Sequence, residues 1–359
     1  MEIFHCKTKL VCGSGACDYL KDQKFSRLLV VADPYFSQSG QAQAIGQLSG
    51  GQWRVFDRFT PDPAVAQVAQ GVAVMQEFLP DAVVALGGGS AIDCAKGMVY
   101  AGHSRCPLIA IPTTSGSGSE VTDFAVLTHE QVKHPLVDRR IRPDVAILDS
   151  DLLTKLPKSL VADGGFDAIS HGVEAYVATG ASSVTDALAA DAFATVFAHL
   201  SASFSGDVSV RQRIHTASAM AGMAFSQAGL GLCHAMSHAM GGIFHIPHGR
   251  LNAILLPAVI RCNSCAAGSK YAKLARFAGL GGSAETVALR NLQNGLCRLR
   301  RELRLPQTLA EAGVDPRQVW QVQTRIVTTA LADPCCKTNP LPVADFMVRR
   351  ILEEVTGRG

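Results

Sequence analysis

Between Arg27 and Leu148 the chain repeatedly sets a short run of apolar and β-branched residues ahead of a longer mixed segment: Leu28-Leu-Val-Val-Ala32, Ala82-Val-Val-Ala-Leu86, Leu108-Ile-Ala-Ile111 and Val145-Ala-Ile-Leu148. Apolar runs without polar alternation are what strands covered on both faces require, so the pattern predicts a parallel sheet with crossover helices. After Asp151 the strand signal fades, and stretches rich in Ala, Leu, Met and Gln take over with helical spacing of their apolar residues. The change falls near Asp149 to Pro157, where Asp-Ser-Asp precedes a Leu-rich turn and a proline. A chain of 359 residues suits two domains of unequal type, and the expectation is an α/β domain over 1–151 and an all-helical domain over 152–359, with a reaction cleft between them.

The formal net charge is only +3, and acids and bases are interspersed. That leaves no basic stripe for nucleic acid or anionic lipid, so the expected partners are small molecules and further copies of the chain. Eleven cysteines are scattered along the sequence, and its start shows neither a basic leader nor a cleavable apolar segment. These features set the expectation of a reducing cytosol rather than a disulfide framework. The apolar stretches read as too short for a bilayer, and the alanine-rich stretch from Ala187 to Leu200 is interrupted by polar groups, so a soluble protein is expected.

Leu86-Gly-Gly-Gly-Ser90 follows an apolar run directly and precedes a segment of helical composition, Ala91-Ile-Asp-Cys-Ala-Lys96. Glycines let backbone amides approach a phosphate closely, and a helix N-terminus adds unpaired N–H donors, so a pyrophosphate fits here. A tight strand-to-helix turn without ligand would read the same; the flanking elements favour binding and a Rossmann-like domain. Asp33 closes its own apolar run, where a carboxylate can accept from ribose hydroxyls and repel a 2′-phosphate, which favours NAD over NADP. Asp33 before Pro34 is also ordinary turn chemistry. Ile111-Pro-Thr-Thr-Ser-Gly-Ser-Gly-Ser-Glu120 supplies many short donors after another apolar run, whereas Gly13-Ser-Gly15 reads only as a turn.

The strongest chemical signal lies in the second half. Asp167 and His171, and likewise His234 and His238, stand four apart and so share a helix face. His248, between Pro247 and Gly249, reads as a rigid turn carrying a further imidazole. Any one of these histidines could be structural, but four of the eleven fall between His234 and His248. One carboxylate with several imidazoles suits a divalent transition metal with an open position for a substrate oxygen, and the donor set alone admits iron, zinc and others. His245 is assigned no role. Cys262-Asn-Ser-Cys265 and the Cys335-Cys336 pair read as packing or local turn.

Together, Gly87-Gly-Gly-Ser-Ala-Ile-Asp-Cys-Ala-Lys96, Pro112-Thr-Thr-Ser-Gly-Ser-Gly-Ser-Glu120, Asp167 with His171, and Gly229 to Gly241 through Pro247-His-Gly249 resemble the iron-containing (group III) alcohol dehydrogenases, essentially end to end. Within that family the chain is most similar to the propanol dehydrogenases of bacterial propanediol-utilising microcompartments, on segments such as Ala221 to Leu232 and Ala330-Leu-Ala-Asp333. The resemblance implies a dehydroquinate synthase-like fold with Fe(II), or Zn(II) in its place, on Asp167, His171, His234 and His248. It implies that His238 stays near the substrate without ligating the metal, in proton transfer. It also implies that Asp33, Gly88, Gly89, Ser90, Asp93, Thr113, Thr114, Ser117 and Lys133 face NAD(H), and that the chain pairs as a homodimer through its N-terminal strand.

Two departures from the family pattern stand out: Ser117 replaces the usual threonine, keeping the hydroxyl, and Asn339-Pro-Leu341 replaces Asn-Pro-Arg. The activity expected is NADH-dependent reduction of propionaldehyde or acetaldehyde, reversibly, in the cytoplasm and inside a microcompartment with its shell or lumen enzymes. A sister dehydrogenase acting on a polyol or on a hydroxyaldehyde such as lactaldehyde is the nearer alternative. A metal-dependent phosphohydrolase, or a cofactor-binding assembly component without catalysis, is the more distant one.

Overall fold

The computed structural model describes residues 2–130 and 132–357, and they divide into two compact units. One runs from Cys6 to Leu156; the other begins at Pro157 and includes the N-terminal stretch up to His5.

The first unit is built on eight strands: β1 (Lys9–Cys12), β2 (Arg27–Ala32), β3 (Gln52–Phe56), β4 (Ala82–Gly87), β5 (Leu108–Pro112), β6 (Phe124–His129), β7 (Val132–Val137) and β8 (Val145–Leu148). Six form a sheet in the order β1-β8-β5-β4-β2-β3, parallel throughout, and β6 and β7 make a separate antiparallel hairpin. The expected apolar runs are four of the sheet strands. The two edge strands were not evident in the sequence because each is exposed on part of its length and mixes polar with apolar residues, as in Lys9-Leu-Val-Cys12 and Gln52-Trp-Arg-Val-Phe56.

Alternation of side chains divides the core in two. Leu29, Val31, Val83, Ala85, Leu108 and Ala110 point to one face, where they meet Val68 and Met75 of α3 (Val65–Phe78) and Ile92 and Met98 of α4 (Gly89–Ala101). Leu28, Val30, Val84, Leu86, Ile109 and Ile111 point to the other. There they meet Phe36 of α1 (Pro34–Gln38) and Ala42 and Ile45 of α2 (Gln41–Leu48). Cover on both faces is what allows the central strands to be apolar throughout.

The second unit is helical: α5 (Lys158–Val177), α6 (Ser183–Ser205), α7 (Arg211–Ala228), α8 (Leu232–Phe244), α9 (His248–Phe277), α10 (Glu285–Glu302), α11 (Pro316–Ala332) and α12 (Asp345–Thr356). Two features correct the sequence reading. His248 does not sit in a turn but opens α9, with Pro247 as the N-cap. In addition, α6 and α9 are long and apolar enough, by length and composition, to cross a membrane. In α9 that composition reflects packing inside the helical unit, since 72% of its most apolar window is buried.

Candidate metal and nucleotide sites

Helix α5 carries Asp167 and His171 on one face, α8 carries His234, and α9 begins with His248. Gly249 allows the last of these to approach: a Cβ there would lie 1.9 Å from the Asp163 carbonyl oxygen, so α9 could not meet α5 as closely with any other residue. Arg250 fixes the crossing with two bonds to the Asp163 carboxylate, at 3.1 and 2.9 Å. The imidazole Nε2 atoms of His248, His171 and His234 come to 3.6, 3.9 and 3.9 Å of Asp167 Oδ1. Asp167, His234 and His248 present ligand atoms all within 4.8 Å of one another. His171 lies between two rings, with centroids 4.4 Å from Phe225 and 4.6 Å from His234.

The electrostatics favour a cation among these atoms. Burial drives the pKa of His234 well below the ordinary imidazole range, and close packing lowers that of His248 as well although its ring is partly exposed, which favours the neutral ligand form of both. Burial opposes ionisation of Asp167, but attraction to His171 and a hydrogen bond from Asn252 hold its carboxyl below the usual range. Three imidazole nitrogens and one carboxylate oxygen converging where only His248 is partly exposed fit a divalent transition metal.

Three residues of this region did not emerge from the sequence reading. Glu174 is buried, and its carboxylate accepts the backbone N–H groups of Gly231, Cys233 and His234 while meeting His234 Nδ1 at 2.6 Å. Asp333 Oδ2 stands 2.9 Å from His238 Nδ1, and its other oxygen accepts the Cys335 N–H. Asn252, fully buried, donates to Asp167 Oδ1 at 2.8 Å. The spacing could have revealed Glu174, three residues past His171 on α5, and Asn252, four past His248 on α9. Asp333, distant in sequence from its partner, carried no such signal.

The ring of His238 stacks on His248 with centroids 5.1 Å apart, yet its Nδ1 is engaged by Asp333. Burial works against ionisation of Asp333, but the His238 contact holds its carboxyl down to about 2. Cys335 completes a His238, Asp333 and Cys335 group. Burial and the Asp333 charge push its thiol far upward, which makes it a poor ligand.

In the other unit, the glycine loop joins β4 to α4, with Gly88 as the N-cap. Gly87 adopts φ 154°, and a Cβ there would lie 2.6 Å from Ala91 Cβ and 3.1 Å from Asp33 Cβ. Cβ atoms on Gly88 and Gly89 would meet the hydroxyls of Thr114 and Ser117, at 3.4 and 3.1 Å, so the loop lies against the hydroxyl-rich segment after β5. Thr113 is buried and donates its backbone N–H to the Gly87 carbonyl. Asp33 caps α1 by accepting the Tyr35 N–H, and Ser90 accepts the Asp62 N–H while Asp62 pairs with Lys133 at 2.8 Å. Asp93 differs in kind: its two oxygens accept from Ser119 Oγ and from the Val126 N–H, so it ties α4 to the loop and to the β6–β7 hairpin.

A strand-to-helix glycine loop in an α/β unit and a His/Asp site in a helical unit together define an iron-containing alcohol dehydrogenase, and the chain belongs to that family. Its residues 7–150 match the model for iron-containing alcohol dehydrogenase, and residues 161–356 match that for the Fe-containing alcohol dehydrogenase family, C-terminal. Among curated relatives, the 1-propanol dehydrogenase PduQ of Citrobacter freundii is 38% identical over 99% of this chain and 100% of that protein. The NADPH-dependent butanol dehydrogenase of Clostridium saccharobutylicum is 37% identical over 95% and 94%. Among solved structures, a 1,3-propanediol oxidoreductase superposes with a TM-score of 0.93 at 30% identity, covering 99% of this chain and 100% of that one. The chain is accordingly an oxidoreductase of the alcohol dehydrogenase type.

Proposed function

We propose that this protein interconverts propionaldehyde or acetaldehyde and the primary alcohol with NAD(H), using Fe(II) held by Asp167, His171, His234 and His248; Zn(II) is a substitute that the same donors admit. The observation that carries the reading is the approach of three imidazole Nε2 atoms to one oxygen of Asp167. The ion supplies Lewis-acid polarisation of a carbonyl oxygen, and the nicotinamide supplies hydride.

The chain's own residues position the reactants and handle the proton. Gly88, Gly89 and Ser90 offer the N-terminus of α4 to a pyrophosphate, beside Thr113, Thr114 and Ser117. Asp33 accepts ribose hydroxyls and disfavours a 2′-phosphate, which supports NADH in spite of the NADPH-dependent relative. Lys133 and Asp93 act one step back, through Asp62 and through Ser119 and Val126. With Nδ1 occupied by Asp333, His238 keeps Nε2 for proton exchange with the substrate oxygen.

The short primary alcohol rests on the propanol and butanol dehydrogenase relatives. The likeness to a 1,3-propanediol oxidoreductase favours, as a second reading, a hydroxyaldehyde or polyol such as lactaldehyde. A cytoplasmic homodimer housed in a microcompartment follows from the resemblance to microcompartment propanol dehydrogenases. The test is anaerobic NADH oxidation with propionaldehyde, acetaldehyde and lactaldehyde, comparing enzyme as purified, chelator-stripped, and reloaded with Fe(II) or Zn(II). Turnover lost on stripping and restored by Fe(II) is expected; full turnover after exhaustive chelation would overturn the reading.

A further inference from the structure

We propose that Asn252 is a positioning residue of the metal centre, a neutral amide that holds the Asp167 carboxylate in place for the ion and keeps the His234 and His248 rings facing it until the ion binds. The inference rests on the metal site proposed above and assigns a role to a side chain outside the ligand set.

Asn252 is fully buried on α9, one turn past His248. Its Nδ2 lies 2.8 Å from Asp167 Oδ1, 3.2 Å from His248 Nε2 and 3.3 Å from His234 Nε2. One amide nitrogen therefore touches three of the four ligand atoms, from three helices. The contact with Asp167 falls on Oδ1, the same oxygen that the imidazoles face. An ionised carboxylate can only accept, so the amide must present its nitrogen there. An oxygen has two lone-pair directions, so the amide can keep one while the other would serve a cation; each imidazole Nε2 has only one, so its contact with the amide would give way to the ion.

The opposite end of the amide is also held. Asn252 Oδ1 accepts from Ser237 Oγ, with the Cys233 thiol 3.6 Å away, and both residues lie on α8 beside His234. The chain of bonds from Ser237 through Asn252 to Asp167 thus joins α8, α9 and α5 across the ligand set. A charged side chain here would either repel Asp167 or compete with the ion for it, whereas an amide donates to the carboxylate and leaves the charge balance unchanged.

The test measures metal affinity directly. Wild type, Asn252→Leu and Ser237→Ala are stripped and titrated anaerobically with Fe(II) and Co(II) against a competing chelator, and the visible spectrum of each Co(II) form is recorded. Leucine approximates the volume without a donor, and a roughly ten- to hundredfold loss of affinity is expected, with shifted Co(II) bands. Ser237→Ala leaves the amide but frees its far end, and a few-fold loss is expected. An Asn252→Leu protein that binds within twofold of wild type and gives a superimposable Co(II) spectrum overturns the role. Should that variant fail to fold, Ser237→Ala decides, and unchanged affinity and spectrum overturn it. Failure of the wild type itself to bind either ion would instead refute the metal site, so the two readings fail separately.

Discussion

Glu174 Oε2 lies 2.6 Å from His234 Nδ1, and the same carboxylate accepts the backbone N–H groups of Cys233 and His234 in the first turn of α8, together with that of Gly231. Burial raises the Glu174 pKa to about 7 against the pull of these N–H groups, and in its ionised form the carboxylate caps the helix that carries a ligand and fixes that ligand's tautomer, directing Nε2 toward Asp167. Glu174→Ala should lower Fe(II) affinity roughly ten- to hundredfold, as outer-sphere carboxylates do at other metal sites. Glu174→Gln, which keeps an acceptor, should lose less. Chelator competition on folded protein checks both, and equal affinities across the series would remove Glu174 from the metal site.

Asp333 stands behind His238 as Glu174 stands behind His234, but its target is a partly exposed ring rather than a ligand. Asp333→Asn keeps the size of the side chain and removes the charge that fixes Nδ1 as the donor. The expected result is a drop in kcat of roughly ten- to hundredfold, at or below the lower end of what a general acid–base group itself contributes because His238 is still present, with bound iron unchanged. A rise in KM at constant kcat would mean that Asp333 shapes substrate binding instead.

How legible this was in the sequence depended on whether partners share an element. Asp167 with His171 were found because four residues return to the same face of a helix, and the inner strands were found because cover on both faces leaves them apolar throughout. The convergence of α5, α8 and α9 was not derivable, since spacing within a helix does not specify crossings between helices. Gly249 shows why: its sequence context suggested only a turn, and its role appears in the 1.9 Å that a Cβ would leave to the Asp163 carbonyl oxygen. Asp93 shows the opposite limit. The resemblance implied that it faces the cofactor, and its bonds to Ser119 and Val126, which tie α4 to the hairpin, could not be read from the motif.

Asp33 combines two duties that mutation can separate, since its carboxylate caps α1 through the Tyr35 N–H and places a negative charge beside the glycine loop. Asp33→Ser retains an oxygen able to cap and deletes the charge. The ratio of kcat/KM for NADPH over NADH should rise by about tenfold or more, which corresponds to about 1.4 kcal/mol of relieved repulsion. Steady-state kinetics with both cofactors checks this, and an unchanged ratio would show that Asp33 does not read the ribose.

The buried pair Lys96 and Glu120 makes the α/β unit's stability depend on pH in a defined direction. Lys96 is fully buried, with its ammonium donating to Ser119 Oγ, Thr122 Oγ1 and the Phe124 carbonyl oxygen, and burial lowers its pKa from 10.5 to about 8. Burial raises Glu120 from 4.5 to about 7, against the pull of a backbone N–H and of Lys96. Between pH 4.5 and 7 the folded chain therefore holds a proton on Glu120 that the unfolded chain has released, and stability falls as pH rises through that window. Between about 8 and 10.5 the unfolded chain holds a proton on Lys96 that the folded chain has released, and stability rises. Glu120→Gln should shrink the acid-side decline by at most about 3 kcal/mol and leave the part due to Asp93, whose carboxyl is also raised by burial. Urea midpoints followed by Trp53 fluorescence in a Trp320→Phe background report on this unit alone. A decline between pH 5 and 7 as large in Glu120→Gln as in wild type would show that Glu120 is ionised in the folded protein at acid pH.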